Sequence, residues 1–208
     1  VEHPITECIT GVDIVAEQFR IAAGLPLNRE QSDVKINGHS IEVRIYAENP
    51  SSGFLPAIGT LARWQAPEGP GVRVDTGVRE GDEVTPNYDP MLAKLIVHAS
   101  DRGAAIRRMK RALSEFIILG TVTNVDFLQD LIQHPAFKAG KTSTDFIAEH
   151  WSNGWSEKAP SVEVVLAAAV AEASGMQRGS TSTLSSDNLI PLRHDPSNPF
   201  LSIGKRFP

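Results

Sequence analysis

Hydrophobic and polar positions alternate most regularly between Ser40 and Ala47. Ile41, Val43, Ile45 and Ala47 fall on one side, and Ser40, Glu42, Arg44 and Tyr46 on the other. This period of two predicts a strand buried on one face, with Asn49-Pro50-Ser51-Ser52-Gly53 turning the chain after it. Asn37-Gly38 is a short hairpin signal between the Val34–Ile36 run and this strand. Further strands are expected over Gly59–Ala66, Gly71–Thr76, Glu83–Thr85 and Ala93–Ala99, separated by Gly- and Pro-containing turns. Frequent turns between short strands predict an α+β fold with a largely antiparallel sheet and flanking helices, not repeated βαβ units.

Helical spacing appears in four places. Val15, Phe19 and Ala22/Ala23 recur behind Thr10-Gly-Val-Asp13, which reads as a capping box, and Gly24 and Pro26 stop that helix. Pro4 keeps the preceding residues extended from Val1 to Glu7. Asp101 caps a second helix to about Phe116, with Ile106, Met109, Leu113, Phe116 and Ile117 as its stripe. Thr123-Asn-Val-Asp126 starts a third, led by Val125, Leu128 and Ile132, which His134-Pro135 ends. An Ala- and Val-rich helix is expected over Val162–Ala173. It precedes a Ser-, Thr- and Gly-rich run, Gly175–Asn188, expected to be flexible, and a Pro-containing tail that reads either as disordered or as the start of a following domain. The composition shift after Trp155 divides the chain into residues 1–155 and 156–208.

Composition narrows the chemistry. The 208 residues are 41% hydrophobic, enough for one sizeable core, and the net charge of −5 gives no reason to expect nucleic-acid binding. No apolar run reaches the roughly 20 residues that span a bilayer. Cys8 is the single cysteine, so no internal disulfide can form, and it reads as buried filler. His3 has no His or Cys partner at ligand spacing, and no metal site is predicted. Gly69 and Gly71 do not form a phosphate loop. The basic helix after Asp101 could hold a phosphate, although a solvated face is the ordinary use of such a charge run. On the central strand, Arg44 is a fixed, permanently charged donor fork suited to an anion or an enolate oxygen. The same residues also fit an Arg–Glu pair on a wet sheet face.

Seven motifs change that balance: VEHPITE at 1–7, ITGVD at 9–13, RIAAG at 20–24, GHSIEVRIYAENP at 38–50, GFLPAIG at 53–59, NYDPMLAKL at 87–95 and TNVDFL at 123–128. Together and in this order they resemble the C-terminal part of biotin carboxylase, the ATP-dependent component of biotin-dependent acyl-CoA carboxylases of the acetyl-, propionyl- or methylcrotonyl-CoA type. The resemblance covers roughly residues 1–150 and implies an ATP-binding part upstream of Val1, so that the chain alone would be inactive. It implies that Glu2 is the general base toward bicarbonate and Arg44 the group that stabilises the biotin enolate oxygen. Val1, Glu2, Arg44 and Asp89 would contact substrate, Asp89 by orienting Arg44 or a neighbour. Trp64, Pro70 and Arg73 would lie at a homodimer interface, although loop and core packing explains them equally. Implied cofactors are biotin on a separate carrier domain, and ATP with Mg2+ held by the upstream part. Implied partners are the biotin carboxyl carrier domain and a carboxyltransferase subunit, with no nucleic acid and no membrane. The location would be cytoplasmic, or the mitochondrial matrix in a eukaryote. The segment 134–150 leans toward a methylcrotonyl-CoA-type carboxylase. A non-catalytic docking or dimerisation module, and the equivalent part of a pyruvate or urea carboxylase, remain alternatives.

Overall fold

The computed structural model describes residues 2–173, and the chain divides into one unit over Val1–Lys158 and a second over Ala159–Pro208. In order, the elements are α1 (Ile5–Thr10), α2 (Ile14–Ala22), β1 (His39–Tyr46), β2 (Glu48–Asn49), β3 (Leu55–Pro56), β4 (Gly59–Thr60), β5 (Arg63–Gln65), β6 (Val72–Thr76), β7 (Glu83–Val84), β8 (Met91–Ala99), α3 (Arg102–Glu115), β9 (Ile117–Leu119), α4 (Val125–Gln133), α5 (Pro135–Lys138), α6 (Phe146–His150) and α7 (Val162–Ala173). Every strand pairing among the described residues is antiparallel. The α+β architecture expected from the turn spacing is therefore present. The second unit is described only through α7, whose span is the one its Ala- and Val-rich composition predicts. The Gly175–Asn188 run and the tail lie outside the described residues.

β8 is the middle strand of the main sheet, with β1 on one side and β6 on the other. Against β1 the register sets Val97 opposite Ile41, Leu95 opposite Val43 and Ala93 opposite Ile45, so the apolar halves of both strands share one face. α3 and α4 close over that face with Ile106, Met109, Leu113 and Ile132, all buried. Each such side chain contributes about 1.5–3 kcal/mol through removal from water. The stripe predicted for α3 is in place except at Ile117, which leaves the helix for β9 and is 40% exposed. Asp101 caps α3 as expected, its Oδ1 accepting from the Ala104 N–H at 2.8 Å.

Four local expectations give way. Val34–Ile36 is not a strand and no hairpin forms at Asn37-Gly38. The Asn37 N–H instead donates to the Ile9 carbonyl at 2.7 Å, and β1 takes its partner from β8, more than fifty residues downstream. The first residues are not wholly extended, because the backbone turns into α1 directly after Pro4. Thr10 does not cap α2. Asp13 does, its Oδ1 accepting from the Ala16 N–H at 2.8 Å, while Thr10 bonds back to the Thr6 carbonyl inside α1. The predicted stripe of α2 also faces outward, with Phe19 73% exposed. This helix is held by the polar Glu17, its one buried residue, which lies 3.6 Å from Arg29.

Candidate functional site

Three contacts deliver the start of the chain to the polar face of β1. α1 packs against β1, with its C-terminal turn closed by Gly11 in the left-handed region and the Gly11 N–H on the Glu7 carbonyl. The Asn37–Ile9 bond ties the same helix to the approach of β1. Lys94, opposite Arg44 in the sheet register, donates its ammonium to the Glu2 carbonyl. Lys94 thus grips backbone, and does not simply pack its stem beside a carboxylate. These contacts set the Glu2 backbone and the His3 ring over the strand.

Arg44 is the centre of what results. Its Nη2 lies 2.9 Å from His3 Nε2 and 3.7 Å from Glu2 Oε1, and its Nη1 donates to the Tyr46 hydroxyl at 3.4 Å. On the far side of the imidazole, His3 Nδ1 lies 2.6 Å from Glu42 Oε1. Tyr46 first, and then the carboxylates of Glu2 and Glu42, raise the guanidinium above its already high ordinary value, so Arg44 is a cation at every working pH. The Glu2 side chain is 60% exposed, and an exposed pair of this kind adds little to stability. Its chemistry is more telling: a carboxylate that can take a proton stands beside a fixed cation that can hold an anion, both open to solvent.

The backbone under Arg44 is held from outside the sheet by a residue with no conspicuous sequence signal of its own. Asn124 is buried, and its Oδ1 accepts from the Tyr46 N–H at 2.9 Å while its Nδ2 donates to the Arg44 carbonyl at 3.1 Å. Its own N–H donates to the Tyr46 carbonyl at 3.1 Å. The Thr123–Asp126 pattern reads as a cap signature. Asn124 does stand at the start of α4, but its side chain makes no cap bond and is spent on β1.

The remaining candidates are dispersed. Asp89 shapes its own turn, its Oδ1 accepting from the Met91 N–H at 2.8 Å, and none of its described bonds reaches Arg44. Burial, and then the charge of Asp89, push the Glu48 carboxyl up. Trp64 packs edge-on against Phe116 at 5.1 Å, Pro70 is exposed, and Arg73 is held in a two-bond pair by Asp75 at 2.7 and 2.9 Å. Three of the cations on basic α3 are already engaged, Arg102 by the Phe137 carbonyl, Arg108 by the His98 carbonyl and Arg111 by Glu115. Val1 lies outside the described residues. Among the described residues no group of three or more His, Cys, Asp or Glu side chains could hold a metal, and no helix is long and apolar enough to cross a membrane.

Residues 42–149 match the family model for the biotin carboxylase C-terminal domain, and residues 1–30 match that for the carbamoyl-phosphate synthase L chain ATP-binding domain. The chain is 44% identical over 205 residues to the mitochondrial methylcrotonoyl-CoA carboxylase alpha subunit of Dictyostelium discoideum, covering 98% of this chain and 28% of that protein. It is 51% identical over 150 residues to a pyruvate carboxylase subunit of Methanothermobacter thermautotrophicus, covering 72% and 30%. Among solved structures, it resembles the biotin carboxylase domain dimer of Hydrogenobacter thermophilus 2-oxoglutarate carboxylase in complex with MgADP, ADP and bicarbonate. The TM-score there is 0.69 at 47% identity, over 72% of this chain and 33% of that one. The chain spans between 21% and 33% of the length of these and similar curated relatives. With half of its length matched by the family model and its structure aligned with a biotin carboxylase domain, the chain belongs to the biotin carboxylase C-terminal domain family.

Proposed function

We propose that this chain is the C-terminal portion of a biotin carboxylase, which carboxylates biotin on a carrier protein with ATP and bicarbonate as the first half-reaction of an acyl-CoA carboxylase. The observation that carries the reading is the exposed Glu2–Arg44 pair, a carboxylate 3.7 Å from a guanidinium on a strand pinned from both sides. Glu2 accepts the proton of bicarbonate, and the freed oxygen attacks the terminal phosphate of ATP. Arg44 offers its fork to the negative charge of that anion, and afterwards to the charge developing on the ureido oxygen of biotin. The donor set suits these roles, because a planar fork matches an oxyanion and the exposure leaves room for a carrier-borne ligand. ATP and Mg2+ supply phosphoryl activation, and their ligands are assigned to the ATP-binding part of the full-length protein. The chain alone is not expected to turn over.

The acyl-CoA assignment is supported by the Dictyostelium alignment, which runs over 98% of the chain, whereas the pyruvate carboxylase match covers 72%. The methylcrotonyl-CoA type is accordingly favoured, and its partners are a biotin carboxyl carrier domain and a carboxyltransferase subunit. The location follows as cytoplasmic, or the mitochondrial matrix in a eukaryote. Asp89 is kept as a residue that shapes the rim of the site, and Val1 as a substrate contact.

The test is ADP release by the full-length protein, with and without bicarbonate and biotin, beside Arg44→Ala. Release should require both substrates and fall roughly 100- to 1000-fold in the variant, the usual loss for one preorganised donor. Release that ignores biotin or survives the substitution would remove the reading and leave a docking module.

A further inference from the structure

His3 has no part in the proposed reaction, yet it stands between the two charges of β1 that matter most. Glu42 has a side chain only 8% exposed, and its Oε2 is buried with no hydrogen-bond partner among the described residues. Its one described bond is the 2.6 Å contact from Oε1 to His3 Nδ1. An ionised carboxylate only accepts, and leaving it without a donor in a buried place is costly, so Nδ1 carries a hydrogen. The other ring nitrogen lies 2.9 Å from Arg44 Nη2, and a guanidinium only donates. Nε2 must therefore present its lone pair. A doubly protonated ring would set N–H against N–H between two cations at that distance. The neighbours agree: Lys94 spends its ammonium on the Glu2 carbonyl, and Tyr46 takes the other terminal nitrogen of Arg44.

We propose that His3 is a positioning residue, locked as the neutral Nδ1–H tautomer between Glu42 and Arg44, which aims the guanidinium without neutralising it. The inference rests on the reading of Arg44 as the charge-stabilising group. A carboxylate bonded directly to Arg44 would hold the fork in a two-pronged pair, as Asp75 does to Arg73, and would use up the donors that substrate needs. The imidazole passes on the orienting pull of Glu42 through a single neutral acceptor. The second hydrogen of Nη2 stays available on the side of Glu2.

The tautomer can be read on the 208-residue chain itself, without activity. In a histidine-15N-labelled sample at pH 8, long-range 1H–15N correlations of the ring assigned by its loss in His3→Gln should show a protonated Nδ1 and a pyridine-like Nε2. That is the reverse of the form free histidine prefers. In Glu42→Leu, which removes the acceptor of Nδ1–H but leaves the Arg44 donor, the share of the Nδ1–H form should fall. A wild-type His3 ring with Nε2 protonated would overturn the inference, whether or not Glu42→Leu folds. In the full-length protein, His3→Phe should lower the kcat of biotin-dependent ADP release roughly tenfold to a hundredfold, with the KM for ATP unchanged, as expected for a misaimed catalytic group. His3→Gln, whose amide oxygen can take the place of Nε2, should recover most of that loss. His3→Phe at full rate beside a collapsed Arg44→Ala would overturn this inference alone. Survival of Arg44→Ala would instead remove the functional reading, with the ring correlations still judging the bridge.

Discussion

Arg44 owes its value to the geometry of its nitrogens as much as to its charge. One terminal nitrogen is used by Tyr46 and the other faces both His3 and Glu2, so the plane of the fork is set by one neighbour on the strand and two residues ahead of α1. A lysine would carry the same charge on a flexible stem, as a point donor without a plane. Arg44→Lys should therefore be nearly as damaging as Arg44→Ala, within about tenfold of it and far below wild type, in the same ADP-release assay. A Lys variant that retained most of the rate would show that charge alone suffices. Arg44 is legible in the sequence because a charged residue on the wet side of an alternating strand is conspicuous. His3 is not: a single histidine near a proline suggests at most a metal ligand, and the partner that gives it meaning, Glu42, is thirty-nine positions away.

The elements legible in the sequence are those whose burial repeats along the chain. β1 and β8 show alternating or continuous apolar runs, and α3 shows a 3.6-residue stripe, because each buries one side over several turns or pleats. α1 has six residues and none of them buried, so no period could announce it. The false hairpin at Asn37-Gly38 has a similar cause, since turn chemistry is local while the true partner of β1 is set by the distant register with β8. The exposed stripe of α2 falls within residues 1–30, which match an ATP-binding-domain model and lie outside the 42–149 match. Asn124 is the element-scale device, because it splices the start of α4 to β1 on either side of Ile45. Asn124→Ala strips the Tyr46 N–H of its acceptor and the Arg44 carbonyl of a donor. It should cost about 1–3 kcal/mol in urea unfolding and, by loosening β1, lower ADP release roughly tenfold or more. Unfolding that is weakened with the rate untouched would limit Asn124 to a structural role.

At the scale of the whole molecule, the homodimer that the resemblance implies makes its own demand. Pro70 and Arg73 should matter to assembly, and Pro70→Asp or Arg73→Glu should shift the full-length protein from dimer to monomer in sedimentation velocity. At the far end of the first unit, Asp130 accepts from Trp155 Nε1 at 3.0 Å and from Lys158 Nζ at 2.5 Å. Burial pushes the Asp130 carboxyl up, but the bonds from Lys158 and Trp155 outweigh it and hold the group below the ordinary 3.8. His39, beside Arg102 on α3, is held below its ordinary 6.5 by burial and then by that guanidinium, with Asp101 pulling the other way. These two shifts act in separate pH windows. The unfolded chain protonates His39 more readily than the folded one, so stability falls as pH drops through 6.5 and levels off below the folded value. The Asp130 contribution is complete above 3.8 and is lost as pH falls through its lower folded value. Glu48 opposes both, because a carboxyl raised from 4.5 favours the fold as it takes up its proton. Thermal melts of this chain should therefore show a plateau near pH 8, a first decline below about 6.5, relief around and just above 4.5, and a second decline below 3.8. His39→Gln should erase the first decline, and Asp130→Asn should lessen the second, which Asp101, held below 3.8 by its bonds from Ala104 and Ser100, shares. A melting curve flat from pH 7.5 to 5.5, or a first decline that persists in His39→Gln, would show that the Arg102–His39 contact does not couple the sheet to α3 in this way.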